Sequence, residues 1–140
     1  MRVRELKTID EMFSAFEVIS QMYPDMTKAH YEEIIPQRVD SGYRMAAVFD
    51  DENNCICCTG FWISYRFYCG KFLQMDNLVT DKNNISKGAG KEIVNWIKDL
   101  AKKENCKRII LDSYVENFDA HRFFYREGFI IRGYHLNYTL

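Results

Sequence analysis

The chain has 140 residues, the length of one domain, and 47% of them are hydrophobic and 15% aromatic, which favours a substantial core and excludes an intrinsically disordered protein. Its formal net charge of −1 gives no general attraction to nucleic acid or to an anionic membrane. No apolar run approaches the roughly 20 residues that span a bilayer, and the N-terminus lacks the apolar segment of a signal peptide, so we expect a cytoplasmic protein with neither nucleic-acid nor membrane partners.

The first forty residues predict a short strand and two helices. Val3 to Leu6 favours a strand, and Thr8 with Glu11 forms a capping box at the start of an amphipathic helix. Thr27 is expected to cap a second helix, which Pro36 should kink or end early.

Three apolar segments then predict an antiparallel meander. They run from Tyr43 to Phe49, from Cys55 to Phe67 and from Phe72 to Thr80, and short polar or glycine-containing turns separate them.

The five cysteines do not predict a metal site. Cys55 and Cys58 form a Cys-x-x-Cys pair, but a structural zinc site needs a second pair, and Cys69 and Cys106 are far apart. We therefore expect reduced thiols that pack as small hydrophobic groups, as in a cytoplasmic protein without bound metal.

The second half of the chain predicts a crossover helix and a second strand–helix–strand unit. An amphipathic helix spans Ala89 to Lys103, a buried strand Arg108 to Ser113, a short helix Asp119 to Glu127, and a final strand Phe129 to Tyr138. The order β-α-α-β-β-β-α-β-α-β indicates one α/β domain over the whole chain. Its sheet is mixed and mostly antiparallel, with about six strands, and four helices accompany it.

A glycine-bearing turn between a strand and the long helix has the features of an anion site. Free N–H groups and the positive end of the helix dipole meet there, and glycine lets an anion approach the backbone closely. Lys87 and Lys91 add charge, although a helix start without a ligand is the simpler alternative. The candidate contacts are the backbone groups of Ser86, Lys87, Gly88, Ala89, Gly90 and Lys91.

Together with a second motif downstream, this turn resembles the GNAT superfamily of N-acetyltransferases. The family combines a [Gln/Arg]-x-x-Gly-x-[Gly/Ala] turn with an Asn-x-x-Ala-x-x-aromatic-Tyr-x-x-x-Gly-Phe motif. The turn matches at Ile85 to Gly90, and the second motif matches at Asn117, Ala120, Phe123, Gly128 and Phe129. Two positions depart from the pattern, since Ile85 replaces Gln or Arg and Phe124 replaces the usual Tyr.

The resemblance implies a single acyl-CoA N-acyltransferase domain over residues 1–140. It implies acetyl-CoA as co-substrate, direct attack of a primary amine of a small molecule or peptide on the thioester, and no metal. The pantetheine arm would lie beside Leu78 to Thr80, Asn117 would bond its amide, and Phe124 would pack on its thiol end. Dimers are common in the family, and the many aromatic residues allow a homodimer. The alternative function is a CoA-binding sensor without transferase activity.

Two residues are candidates for catalytic proton transfer. Tyr125 is the hydroxyl-bearing neighbour of Phe124, but adjacent helical side chains point about 100° apart, so it replaces the family's acid only if the helix is rotated or shifted. Otherwise solvent or another Tyr would protonate the leaving thiolate. Strand alternation places Asp76 on one face with Gln74, Leu78 and Thr80, and Asp76 would take the amine's proton or bind a substrate cation. The candidates for the acceptor site are Tyr23, Asp25, Tyr31, Glu32, Glu33, Tyr65 and Tyr68.

Overall fold

The computed structural model describes residues 1–140, which form two units, Met1–Ile110 and Leu111–Leu140. The first unit contains most of the regular elements. In chain order these are β1 (Arg2–Leu6), α1 (Ile9–Phe13), α2 (Phe16–Ile19), α3 (Lys28–Asp40), β2 (Arg44–Phe49), β3 (Cys55–Arg66), β4 (Gly70–Thr80), a short 3₁₀ turn (Lys82–Asn84), α4 (Ala89–Lys103) and β5 (Arg108–Ile110). The second unit contains α5 (Phe118–Arg126).

The sheet has five strands in the order β1-β2-β3-β4-β5. Neighbouring strands are antiparallel except β4 and β5, which are parallel because α4 carries the chain from one to the other. The predicted α/β class and the mixed, mostly antiparallel sheet are confirmed.

The predicted sixth strand is absent. Residues 129–140 adopt no regular secondary structure, and β5 ends at Ile110 instead of Ser113. A strand is defined by its backbone pairing, and the unit that contains Phe129 to Tyr138 has no other strand with which it could pair. The residue types of this segment therefore did not suffice to predict a strand.

The two predicted helix caps are present. Thr8 Oγ1 accepts from Glu11 N–H at 3.1 Å, and Thr27 Oγ1 accepts from His30 N–H at 3.1 Å. The first predicted helix is divided into α1 and α2, because the hydrogen bonds tighten to a three-residue spacing at Ala15. The second helix neither ends nor breaks at Pro36 but continues to Asp40.

The two faces of the sheet pack against different helices. On one face, Met45, Ala47 and Cys58 join buried residues of α1 to α3 in the main core. On the other, Phe61 of β3 packs edge-to-face on Trp96 of α4, with ring centroids 6.0 Å apart. Residues of β4 can therefore face either the α1–α3 layer or α4.

Candidate functional site

The first part of the site is the start of α4, at the glycine-bearing turn. Gly88 is the N-cap residue and adopts φ +88°, in the left-handed region where glycine carries no Cβ penalty. No side chain caps this end of the helix, so the first-turn N–H groups have no intrahelical or capping partner. The segment predicted as an anion cradle, Ser86 to Lys91, therefore presents backbone N–H groups without partners, and its binding of a phosphate stays a prediction.

A polar clamp holds the chain just before this turn. Asp81 accepts from Gln21 Nε2 at 2.8 Å and from Asn84 Nδ2 at 2.7 Å, and Lys82 N–H donates to Gln21 Oε1 at 2.9 Å. The hydrogen bonds from Gln21 and Asn84 hold the pKa of Asp81 below its usual value. The clamp fixes the turn to the end of α2, and the sequence patterns gave no signal for Gln21 or Asp81.

The second part of the site is the edge of β4 that faces β5. The two strands pair only from Phe72↔Arg108 to Gln74↔Ile110, whereas β4 continues to Thr80. The edge from Met75 to Thr80, which includes Leu78 and Val79, is thus without a strand partner on this side, as an extended ligand would need. Where the pairing ends, Gln74 is 6% exposed and its Oε1 is buried without a hydrogen-bond partner.

A β-bulge interrupts β4 between these features. Gly60 pairs with Asp76 and Cys58 with Val79, so Thr59 alone lies opposite both Asn77 and Leu78. Asn77 adopts φ +56°, which asparagine tolerates better than most residues. The bulge also changes the alternation: Asp76 faces the α1–α3 layer, while Thr80 pairs with Cys57 on the α4 side. The prediction that Gln74, Asp76, Leu78 and Thr80 share one face is therefore wrong.

The third part is a cavity of about 270 Å³ between α3 and the bulge. Its walls are mainly apolar and aromatic, and its most polar residues are His30, Arg38, Asp76 and Asn77. The lining residues are Ile19, Tyr23, Met26, His30, Tyr31, Ile34, Ile35, Arg38, Tyr43, Asp76 and Asn77. Of the predicted acceptor-site residues, only Tyr23 and Tyr31 are among them, whereas Tyr65 and Tyr68 are exposed at the β3–β4 hairpin.

The polar end of this cavity is built around Arg38. Its Nη1 donates to Asp76 Oδ2 at 3.0 Å, and its guanidinium lies 4.1 Å from the ring centroid of Tyr43 and 5.5 Å from that of Trp62. Tyr43 is 4% exposed and donates its hydroxyl to Asn77 Oδ1 at 3.5 Å, and burial raises its pKa well above the usual value. The candidate base Asp76 thus faces the cavity as one member of an ion pair.

Gly60 explains how the Tyr43 ring reaches this position. A Cβ on Gly60 would lie 2.0 Å from Tyr43 Oη and 2.3 Å from two of its ring carbons. Only glycine leaves room for the ring, and the ring in turn supports Arg38. Neither Gly60 nor Arg38 was among the residues predicted from the sequence. The one usable signal was a glycine in the middle of an otherwise bulky strand.

The second unit contains the downstream motif. Asn117 caps α5, because its Oδ1 accepts a hydrogen bond from Ala120 N–H at 3.2 Å. Phe124 packs edge-to-face between Phe123 and Phe129, with centroid distances of 5.1 and 5.4 Å. Tyr125 is 50% exposed. The contacts predicted for Asn117, Phe124 and Tyr125 with a co-substrate stay predictions.

The cysteines, the possible metal ligands and the helices also bear on function. All five cysteines are free thiols, and no cluster of three or more His, Cys, Asp or Glu side chains is arranged to hold a metal ion. None of the helices combines the length and apolarity that crossing a membrane requires.

The family model and two similar proteins of known sequence all point to N-acetyltransferases. The family model described as "Acetyltransferase (GNAT) family" matches residues 7–129. An uncharacterised N-acetyltransferase of Bacillus subtilis is 24% identical over 136 residues, which cover 96% of this chain and 95% of that protein. Glucosamine 6-phosphate N-acetyltransferase of Arabidopsis thaliana is 25% identical over 125 residues, which cover 83% of each chain.

Solved structures match over nearly the whole chain. The crystal structure of the Arabidopsis thaliana glucosamine-6-phosphate N-acetyltransferase has a TM-score of 0.76 at 20% identity, covering 99% of this chain and 97% of that one. A GNAT family acetyltransferase of Staphylococcus aureus has a TM-score of 0.79 at 14% identity, covering 99% and 98%. At these identities the structural matches establish the fold alone.

Proposed function

The chain belongs to the GNAT acetyltransferase family, and we propose that it transfers an acetyl group from acetyl-CoA to a primary amine of a small molecule or peptide. The observation that carries this proposal is the combination, in one unit, of three features. They are an uncapped helix start at Gly88, a β4 edge that is unpaired after Gln74, and a cavity at the adjoining bulge. We expect the protein to act in the cytoplasm.

The residues present fit acetyl-CoA as the acyl donor. The pyrophosphate would accept hydrogen bonds from the backbone between Ser86 and Lys91, and Lys87 and Lys91 would add positive charge. The pantetheine arm would bond the free edge of β4 at Leu78, Val79 and Thr80 as an added strand.

The bulge supports a role in stabilising the charge that forms during transfer. In a bulge, one of two neighbouring residues is left out of the ladder, so Asn77 and Leu78 together have a backbone N–H that does not pair with β3. A donor of this kind near Leu78 would stabilise the oxyanion that forms on the thioester carbonyl.

The proposed chemistry is a direct displacement. The amine nitrogen forms a bond to the thioester carbonyl carbon, the carbon–sulfur bond breaks, and the sulfur leaves with the electron pair as a thiolate. The nitrogen loses one proton, for which Asp76 is the proposed acceptor, directly or through water. Tyr125 is the proposed donor to the thiolate, because Phe124 has no proton to give.

The experiment that tests the proposal is release of CoA thiol by the purified protein over a panel of primary amines. We expect acetyl-CoA to raise the melting temperature, since a ligand at a hundredfold excess over its Kd stabilises the native state by about 2.7 kcal/mol. Thiol release should occur with at least one amine. Stabilisation by acetyl-CoA without release over a broad panel would instead support the CoA-binding sensor, which the phenylalanine at position 124 favours.

A further inference from the structure

The cavity between α3 and the bulge presents two opposite charges to one small space. Arg38 and Asp76 form an ion pair with 3.0 Å between nitrogen and oxygen, and each side chain is 34% exposed. Both side chains line the cavity. Any ligand that reaches this end of the cavity therefore meets a guanidinium and a carboxylate together.

The guanidinium of Arg38 still has hydrogen-bond donors to offer. It makes one side-chain hydrogen bond, through Nη1, although a guanidinium has five N–H donors in a planar fork that suits a carboxylate. Its Cζ lies 4.1 Å from the ring centroid of Tyr43, and this cation–π contact together with the bond to Asp76 restrains the side chain before an anion binds.

Arg44 provides a comparison within the same chain. It also stacks on an aromatic ring, that of Phe61, but both its Nε and its Nη2 bond Glu5, at 2.7 and 3.1 Å. Its fork is therefore occupied, and Arg44 does not line the cavity. Arg38 differs in having one nitrogen engaged and in facing a cavity.

Asp76 offers a complementary acceptor. Its Oδ2 is bonded to Arg38, and Oδ1 makes no hydrogen bond. A simple amine bound at Asp76 would be repelled by the guanidinium, and a phosphate dianion bound at Arg38 would be repelled by the carboxylate. A molecule that carries an ammonium and a carboxylate on one carbon satisfies both charges.

We infer that the acceptor is a zwitterionic amine of the α-amino-acid type with an apolar side chain, its carboxylate on Arg38 and its amino group at Asp76. The inference rests on the proposed function and narrows its substrate class. The rest of the cavity supports the apolar side chain, because Ile19, Met26, Ile34 and Ile35 line it. Its volume of about 270 Å³ suits a compact molecule.

The arrangement is compatible with the transfer step. The bound ammonium first gives one proton to Asp76 Oδ1, which releases it to water, and the free amine then attacks the thioester carbonyl. As the carbon–sulfur bond breaks and the thiolate leaves with the electron pair, the nitrogen gives its second proton to the regenerated Asp76 carboxylate or to a water beside it. The carboxylate on Arg38 takes no part in bond making and sets the position of the amine.

The test is a calorimetric titration of the protein saturated with CoA, which carries no acetyl group to transfer. The ligands are L-leucine, L-methionine and L-phenylalanine, each compared with its own amide and its own decarboxylated amine, and glucosamine 6-phosphate is titrated beside them. We expect at least one amino acid to bind at least tenfold more tightly than both of its analogues. Binding no tighter than the amide for all three, or tighter binding of glucosamine 6-phosphate, would overturn the inference.

Variants of Arg38 test whether the ion pair causes the preference for the amino acid over its amide. In Arg38→Met the advantage of the amino acid over its amide should fall below threefold. Arg38→Lys, which keeps the charge but loses the fork, should give an intermediate value. Arg44→Met removes a similar stacked ion pair outside the cavity and should leave the preference unchanged. A full preference that persists in Arg38→Met would also contradict the assignment.

Failure of this inference and failure of the proposed function are distinguishable. If the amino acid binds with the expected preference but is never acetylated, the proposed transfer is wrong while the zwitterion site stands. If amines are acetylated without regard to a neighbouring carboxylate, the transfer stands and the zwitterion site is wrong.

Discussion

Replacement of Gly60 by alanine should destabilise the fold, because the added Cβ would clash with the side chain of Tyr43. The added Cβ would lie 2.0 Å from Tyr43 Oη and 2.3 Å from Cε2 and Cζ. Carbon atoms pack best at about 3.5 to 4.0 Å, so the ring would have to move by more than about 1 Å. Tyr43 is 4% exposed, with Arg38 stacked on it, and has little space into which to move.

The expected cost follows from overpacking in a dense core. Inserting a carbon into a well-packed site costs typically about 1–3 kcal/mol, and here we expect at least about 2 kcal/mol because the obstructing atoms belong to a buried ring. Without the clash, Gly→Ala would stabilise by about 0.4–1 kcal/mol through the unfolded state. Urea unfolding followed by circular dichroism measures the difference directly.

Two further variants make the Gly60 prediction decisive. In a Tyr43→Ala background the ring is gone, so Gly60→Ala should cost less than about 0.5 kcal/mol, and the double-mutant cycle should assign the remainder to this pair. Gly133→Ala, where no atom lies within 4 Å of the added Cβ, should be close to neutral. A Gly60→Ala protein as stable as the parent would refute the packing described for the cavity.

Gly88→Val should lower the free energy of unfolding by about 1–2 kcal/mol, because Gly88 has φ +88°, and should weaken CoA binding at least tenfold by calorimetry. Unchanged affinity in a folded variant would remove the cradle from the site. Tyr125→Phe should lower kcat roughly tenfold and leave the affinity for acetyl-CoA intact, and Phe124→Tyr is its companion variant. An unaltered kcat in Tyr125→Phe would exclude Tyr125 as the acid. Cys55 and Cys57 should resist iodoacetamide at about pH 8 in the native protein, because burial raises their pKa values to about 11 and about 12 and the thiolate is the reactive form. Because these thiols ionise first in the unfolded chain, the free energy of unfolding should fall as the pH rises above about 9, and a flat profile up to about pH 11 would contradict their burial.

Sequence patterns sufficed for the elements with strong local signals. The long helix begins at Ala89 and ends at Lys103 as predicted, because a glycine turn starts it and a regular apolar stripe runs along it. The Thr8 and Thr27 caps were likewise visible as short motifs with one dominant geometry. Family resemblance supplied what these patterns do not encode, namely which ligand the turn at Gly88 would hold.

The parts that were missed depend on contacts between distant segments. Arg38 reaches Asp76 across 38 residues, and the Gln21–Asp81 clamp spans 60, so no local pattern reports them. The bulge at Asn77 could not be predicted from the sequence, because one extra residue in a strand leaves the composition and hydropathy of the strand unchanged. It nevertheless reverses the face of every later side chain. The final strand failed for the related reason that pairing, and not propensity alone, defines a strand.

Acetyl transfer itself is tested most directly by mass spectrometry of a reaction with isotopically labelled acetyl-CoA. The purified protein is incubated with the labelled donor and a panel of amines that includes the apolar amino acids. We expect a product that carries the labelled acetyl group on its amine and forms in a one-to-one ratio with free CoA. In Gly88→Val, with acetyl-CoA held below saturation, much less of this product should form. Tight binding of acetyl-CoA without acetylated product from any amine would contradict the assignment of this protein as an N-acetyltransferase.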